Sequence, residues 1–459
     1  GAPSDDADGN PRDTNPDIGA YEYPRFSISG HIWYNSSPFA NVSVVLTGSG
    51  TATVLTDAAG YYSFPYLSDG DYVITPVKPG YSFSPGNITI TLSGADSSNN
   101  EYSASRLPIL FVDSAASGVG DGSSWEDAYP RLQDALSVAT SGYEIWVRAG
   151  TYKPTTGSDR TATFQLKNGV SVYGGFNGTE YQRADRQPSV NVTVLSGDLN
   201  GNDSGFLNNS ENVYHIITGS NGATIDGFII RGGNANGSGM NVYGGGFYGD
   251  TGASTTINNC IFEYNSATTY GGGLFCVEYS SPTITDSLFR NNRSYSWGGA
   301  IACYSNVSPV ITRCRFENNN AAQNGGAIAS LVQSSPIIVS CIFAWNSAAV
   351  GGAFANADTS TTTMSNCTFN GNYATDAGGA LYSQGSTAFL NVYNCLIWGH
   401  TTSGMAHAIY VANGTVFVYC CNIEGGLGGT GTDGSITNGG GNINADPLFR
   451  NAAGGDFRL

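Results

Sequence analysis

The run Asp198-Leu199-Asn200-Gly201-Asn202-Asp203 sets oxygen-bearing side chains at near-alternate positions around a glycine turn. Hard cations take such oxygen ligands, so Asp198, Asn200, Asn202 and Asp203 are the candidate ligands for calcium. Calcium is the one cofactor these residues point to, and nothing in the chain requires one. No distal glutamate follows at the spacing of a helix-loop-helix calcium loop, which leaves an ordinary polar loop as the competing reading. Asp6, Asp8 and Asn10 form a weaker set of the same kind. A second constellation is Glu263, Arg290 and Glu317, which recur 27 residues apart. If successive repeats stack about 4.8 Å apart, the two carboxylates stand about 9.6 Å from each other, near the acid–base separation of an inverting glycosidase. The arginine between them favours instead a solvated ladder of alternating charge, worth a few tenths of a kcal/mol per pair. The histidines His31, His215, His400 and His407 share no ligand spacing, and His400 stands where an asparagine is expected.

Glu263, Arg290 and Glu317 lie on, and Asp198 to Asp203 before, a stretch from Gly244 to His400 that repeats one pattern six times with a period of 26 to 28 residues. Each repeat opens on a glycine pair, a small residue and an apolar one, as at Gly271 to Leu274 and Gly325 to Ile328. An apolar column follows at Ile257, Ile284, Ile311, Ile338, Met364 and Val392, then a small one at Cys260, Ser287, Cys314, Cys341, Cys367 and Cys395. A large apolar column comes next, from Phe262 to Ile397, and an asparagine column closes the unit at Asn265, Asn292, Asn319, Asn346 and Asn372. Gly, Asn, Ser and Thr are poor helix formers and the apolar residues alternate, so the period describes a solenoid of strands. About three strands fill each coil, and corners such as Asn258-Asn259 and Thr285-Asp286 carry residues that tolerate left-handed backbone. Like then stacks on like. The inward asparagines form a structural ladder in which each amide bonds the coil above and below.

The tetrapeptides GGAI at Gly298 to Ile301 and Gly325 to Ile328, with FENN at Phe316 to Asn319, resemble the repeats of the chlamydial polymorphic membrane proteins. The resemblance covers about a third of the chain and lacks a membrane-barrel segment. It implies a right-handed parallel β-helix in an extracellular, surface-exposed and adhesive setting.

Composition is compatible with that setting. Only 12% of the 459 residues are charged, and 18 Lys plus Arg against 35 Asp plus Glu leave a formal charge of -17, which argues against nucleic acid as a partner. There is no run of 18 apolar residues to span a membrane and no signal peptide, so the expectation is a soluble chain, already processed if exported. The nine cysteines match no zinc or CxxC spacing; they are column residues, with Cys276 and Cys303 forming a second stack and Cys421 continuing the first. Parallel side-chain vectors disfavour disulfides, and buried free thiols are expected.

In chain order, residues 1–24 are an Asp-, Asn- and Pro-rich extension ending in DIGAYEY, which looks like the sequence that closes bacterial β-helices. Residues 25–106 read as a β-sandwich, with strands expected at Phe26 to Tyr34, Val42 to Thr47, Tyr72 to Pro76 and Ile88 to Leu92. The motif TDAAGYYSF at Thr56 to Phe64 resembles carboxypeptidase regulatory-like and collagen-adhesin B-type modules, which serve as spacers. Residues 107–459 are read as the β-helix, about eleven coils long, its amino end plugged by a short helix carrying Leu132, Ala135, Leu136 and Ala139.

The expected fold is thus all-β: a right-handed parallel β-helix preceded by a small β-sandwich. The expected function is a non-catalytic structural or adhesive protein at the cell surface. Its partners would be other copies of itself, joined head-to-tail into a filament, and surface glycans or receptors on a host or neighbouring cell. Ile18, Ala20, Tyr21 and Tyr23 of one copy would complete the coil carrying Leu448, Phe449, Phe457 and Leu459 of the next. The alternative is a secreted β-helix polysaccharide lyase or hydrolase, since parallel grooves suit polymer chains. Such lyases need a basic residue beside calcium-bound carboxylates, and the regular coils hold few.

Overall fold

The computed structural model describes residues 25–404, 408–429, 431–432 and 434–458. Ile18, Ala20, Tyr21, Tyr23, Asp6, Asp8, Asn10, His407 and Leu459 lie outside the described residues. The chain divides into two compact units, meeting between Pro108 and Ile109.

In the first unit, alternating residues build two sheets. Phe26–Tyr34 is the centre of one, pairing with Tyr61–Leu67, Tyr102–Arg106 and Ser37–Pro38; Ser43–Gly48 and Gly70–Val77 form the middle of the other, flanked by Ala52–Leu55 and Ile88–Leu92. Inward residues Ile28, Ile32, Val44, Leu46, Tyr62, Phe64 and Ile74 fill one core between them. Tyr102 and Tyr62 are buried with their hydroxyls satisfied, donating to the carbonyls of Ile74 and Asn100.

The second unit is a parallel β-solenoid. Its first sheet has twelve strands, from Ile109–Val112 to Ser435–Gly440; two further sheets have ten each and a short one seven. Ten coils therefore pass through all three main sheets, with one extra strand of the first sheet at either end, against an expectation of about eleven coils. Each regular coil also holds four strands where three were expected. Two-residue strands such as Ser266–Ala267 and Arg293–Ser294 directly follow the asparagine column and pair in parallel with their copies. The fourth strand forms because the asparagine amide satisfies the corner before it, and the chain can rejoin a ladder at once.

Register follows the repeat. Ile284 pairs with Ile311, and Phe289 with Phe316. The phenylalanine rings stack face to face, with centroids 4.6 Å apart for Phe262–Phe289 and 4.8 Å for Phe316–Phe343. Corners take left-handed backbone at Asn259, Asp286 and Asn366. The glycine pair is demanded twice over at Gly325-Gly326. Gly325 has φ +66, and a Cβ on it would lie 2.3 Å from the Ile328 carbonyl oxygen; one on Gly326 would lie 2.1 Å from that of Gly352.

At the amino end, the helix Leu132–Val138 buries Leu132, Ala135 and Leu136 in the same core as Val112, Ile145 and Phe164. It packs against strands Ile109–Val112, Glu144–Arg148 and Phe164–Gln165. No helix among the described residues is long and apolar enough to cross a membrane.

Candidate functional site

One charged locality of the solenoid stands where a coil departs from the repeat. Strand Thr193–Ser196 ends at Ser196, which pairs with Arg231, and Arg231 pairs in turn with Glu263 one coil on. Between Ser196 and Ile217 the chain makes a long loop in place of the short strand. Asp198 organises its turn. One carboxylate oxygen accepts from the backbone N–H of Gly201 at 2.5 Å and of Asn202 at 3.2 Å, and the other from that of Asp203 at 3.0 Å.

The loop places the four expected ligands unequally. Asn200 and Asn202 are exposed on the turn. The residues brought to Asp198 and Asp203 are Glu211, whose carboxyl oxygen lies with theirs inside a 4.8 Å group, and Asn212. Asn212 is fully buried, and its Nδ2 donates to Asp203 Oδ2 and to the Gly232 carbonyl, both at 2.6 Å. Burial pushes the Asp203 carboxyl up to about 6, against the bond from Asn212 that draws it down. Glu211 and Asn212 were missed because they fall outside any ligand spacing. The signal for them was the polar run Asn208 to Asn212, which has no column residue and so lets the loop close on itself.

The loop covers Glu263. A cavity of about 170 Å³ lies beneath it, lined by Asp198, Asp203, Arg231, Glu263 and Tyr264 among others. Phe206 holds the loop down, edge-on to Tyr264 and beneath the guanidinium of Arg293, which lies 4.0 Å from the ring centre. Glu263 is therefore buried, not part of a solvated ladder, and is neutralised from both neighbouring coils, by Arg290 at 2.6 Å and Arg231 at 3.8 Å. Glu317 does not continue the ladder. It accepts from Arg315 in its own strand, Nε to Oε1 at 2.8 Å. Glu263 and Glu317 are thus each tied to arginine and do not form an acid–base pair.

The asparagine ladder is in place, with Asn265, Asn292, Asn319, Asn346 and Asn372 at most 1% exposed. Each Nδ2 also reaches back to the preceding coil: Asn319 Nδ2 donates to the Phe289 carbonyl and Asn346 Nδ2 to that of Phe316, both at 2.8 Å. His400 ends the column by accepting from the backbone N–H of Asn372 at 3.2 Å. Of the other histidines, His215 Nδ1 lies 3.0 Å from the Gly244 carbonyl and His31 Nδ1 3.3 Å from Glu101. The cysteine column is a second relay. Cys314 N–H meets Cys341 Sγ at 3.4 Å, while the Cys314 thiol points to the Thr312 carbonyl, as the Ser287 hydroxyl does to Thr285. All nine cysteines are free and eight are buried, but Cys420 is exposed, contrary to expectation, because it occupies the left-handed corner itself at φ 52.

Two of the expected carboxy-terminal contact residues, Phe449 and Phe457, have ring partners within the chain. Phe457 packs on Trp345, three coils back, with ring centres 6.0 Å apart, and Phe449 meets Phe457 edge-on at 5.4 Å. The segment returns along its own solenoid, where Trp345 offers a half-buried ring. Leu448 alone of the three is broadly exposed, at 76%.

Aromatic rings also form a continuous patch across successive coils. Tyr243 stacks on Tyr270 and on Phe275, and Tyr270 on Tyr304, with centres 4.7 to 5.7 Å apart. The tyrosines are half-buried over a buried Phe275.

Residues 196–397 match the family described as a right handed beta helix region, which fixes the hand of the solenoid. Three of the solved structures to which the chain is similar are the following. Pectate lyase Pel9A is 13% identical, with a TM-score of 0.38 over 74% of this chain and 82% of that one. The catalytic unit of a thermostable GH87 alpha-1,3-glucanase from Streptomyces thermodiastaticus strain HF3-3 is 12% identical, with a TM-score of 0.37 over 92% and 87%. A Family 28 exopolygalacturonase from Yersinia enterocolitica is 10% identical, with a TM-score of 0.25 over 89% and 92%. No curated protein matches the chain.

Proposed function

We propose that this protein is a non-catalytic extracellular scaffold whose coil surface, rather than a cleft, meets its partner. The observation that carries this reading is the consumption of its charged groups. Glu263 is held between two arginines, Glu317 by Arg315 and Asp286 by Arg313, so these three carboxyls on the regular coils are spent on neighbouring cations. The tyrosine patch at Tyr243, Tyr270 and Tyr304 supplies a rigid surface of the composition that adhesive contacts favour, and glycans or cell-surface receptors are its fitting partners.

One observation favours the second reading, a β-helix polysaccharide lyase or hydrolase. Asp203, raised to about 6, stands beside Asp198 over a cavity. A single screen separates the two. The protein is incubated with acidic and neutral polysaccharides, with release of reducing ends and of unsaturated uronates recorded, and in parallel tested for binding to glycan arrays and cells. Scaffolding requires binding, without product, that weakens in Tyr270→Ala. Turnover that disappears in Asp203→Asn overturns it.

A further inference from the structure

Three buried oxygen atoms in the loop after Ser196 meet no hydrogen-bond donor: Asp203 Oδ1, Glu211 Oε1 and Asn212 Oδ1. Unpaired buried oxygens of this kind are costly, and three in one loop call for a common partner. Asn212 is the most telling. Its Nδ2 is fixed by two acceptors, Asp203 Oδ2 and the Gly232 carbonyl, so the other arm of the amide must be oxygen, and that oxygen is buried without a proton to accept. Asp198, Asp203 and Glu211 each bring one carboxylate oxygen to within 4.8 Å of the others, a span that one cation fits. Position 232 is a glycine at φ +81 against which the Asp203 carboxylate and the Asn212 amide close, so that wall is backbone.

We propose that Asp198, Asp203, Glu211 and the amide oxygen of Asn212 bind one calcium ion, which pins this loop over Glu263. The donors are all oxygen, and three carry negative charge. They come from an irregular loop, which suits the long, variable coordination of calcium better than the strict octahedron of magnesium. Arg231 and Arg290 do not displace the ion, because both are engaged with Glu263. The ion would supply to the loop what the asparagine ladder supplies to the regular coils, a partner for buried oxygen.

The test uses the full chain stripped with chelator, calcium alone as the ligand, and calorimetric titration with thermal melting as readouts. One equivalent should bind and raise the melting temperature. Glu211→Gln, which keeps shape and removes one charge out of a net -17, should weaken binding at least about tenfold while melting like the parent in chelator. Asn202→Ala, on the exposed turn, should bind as the parent does. Absence of saturable binding overturns the proposal. So does equal affinity in Glu211→Gln, which would mark the uptake as diffuse attraction to an acidic surface.

Discussion

The backbone N–H and the side-chain Nδ2 of Asn292 both donate to a single atom, Oδ1 of Asn319, each at 3.0 Å. Asn319 repeats the arrangement on Asn346, and Asn346 on Asn372. One amide oxygen therefore satisfies two donors of the coil before it, and its own nitrogen reaches a backbone carbonyl there. Asn319→Ala leaves these groups unpaired inside the core. The expected loss is about 1 to 3 kcal/mol in denaturant unfolding. A loss under about 0.3 kcal/mol would show that the ladder does not stabilise the stack.

At the end of the same column, burial pushes the His400 imidazole down from 6.5 to about 4. A group whose folded value is depressed gives its full stabilisation above its unfolded value and loses it as pH falls. The window here is from about 6.5 down to about 4, and the shift corresponds to about 3 kcal/mol at most. His400→Asn removes the titration and lets the column continue. Its melting temperature should fall less than the parent's between neutral pH and pH 4.5, and parallel curves would refute the assignment.

Burial pushes the Cys260 thiol up to about 12, and Cys276 is likewise raised well above its ordinary value. Only Cys420 among the nine thiols is exposed. A thiol reagent should label one cysteine rapidly in the native protein and nine in denaturant, with no prior reduction needed. Rapid labelling of a second native site would contradict the stacked, closed column.

Replacing Gly325 by alanine sets a Cβ against the Ile328 carbonyl and holds a left-handed backbone on a residue that resists it. A cost of about 1 to 2 kcal/mol follows from the backbone preference alone, and the clash adds to it. Unchanged stability in Gly325→Ala would mean that the corner can open without cost.

The sequence by itself determined the columns that repeat, though not the short fourth strand of each regular coil. A period of 27 puts Phe289 on Phe316 and Asn292 on Asn319 because parallel strands one coil apart pair in register, and the columns needed only to be read down. The left-handed corners at Asn259 and Asp286 and the plug at Leu132, Ala135 and Leu136 were legible for the same reason, being local propensity joined to a pattern. Tertiary structure decided what occurs once. Whether Asp203 meets Asn212, whether Glu263 is solvated or roofed, and whether Phe457 faces outward or returns to Trp345 depends on how irregular segments fold back on the stack. Such contacts, like Arg315 to Gly455 across 140 residues, have no period to announce them. They are selected by unburied aromatic surface and unpaired oxygen that exist only after the coils have assembled.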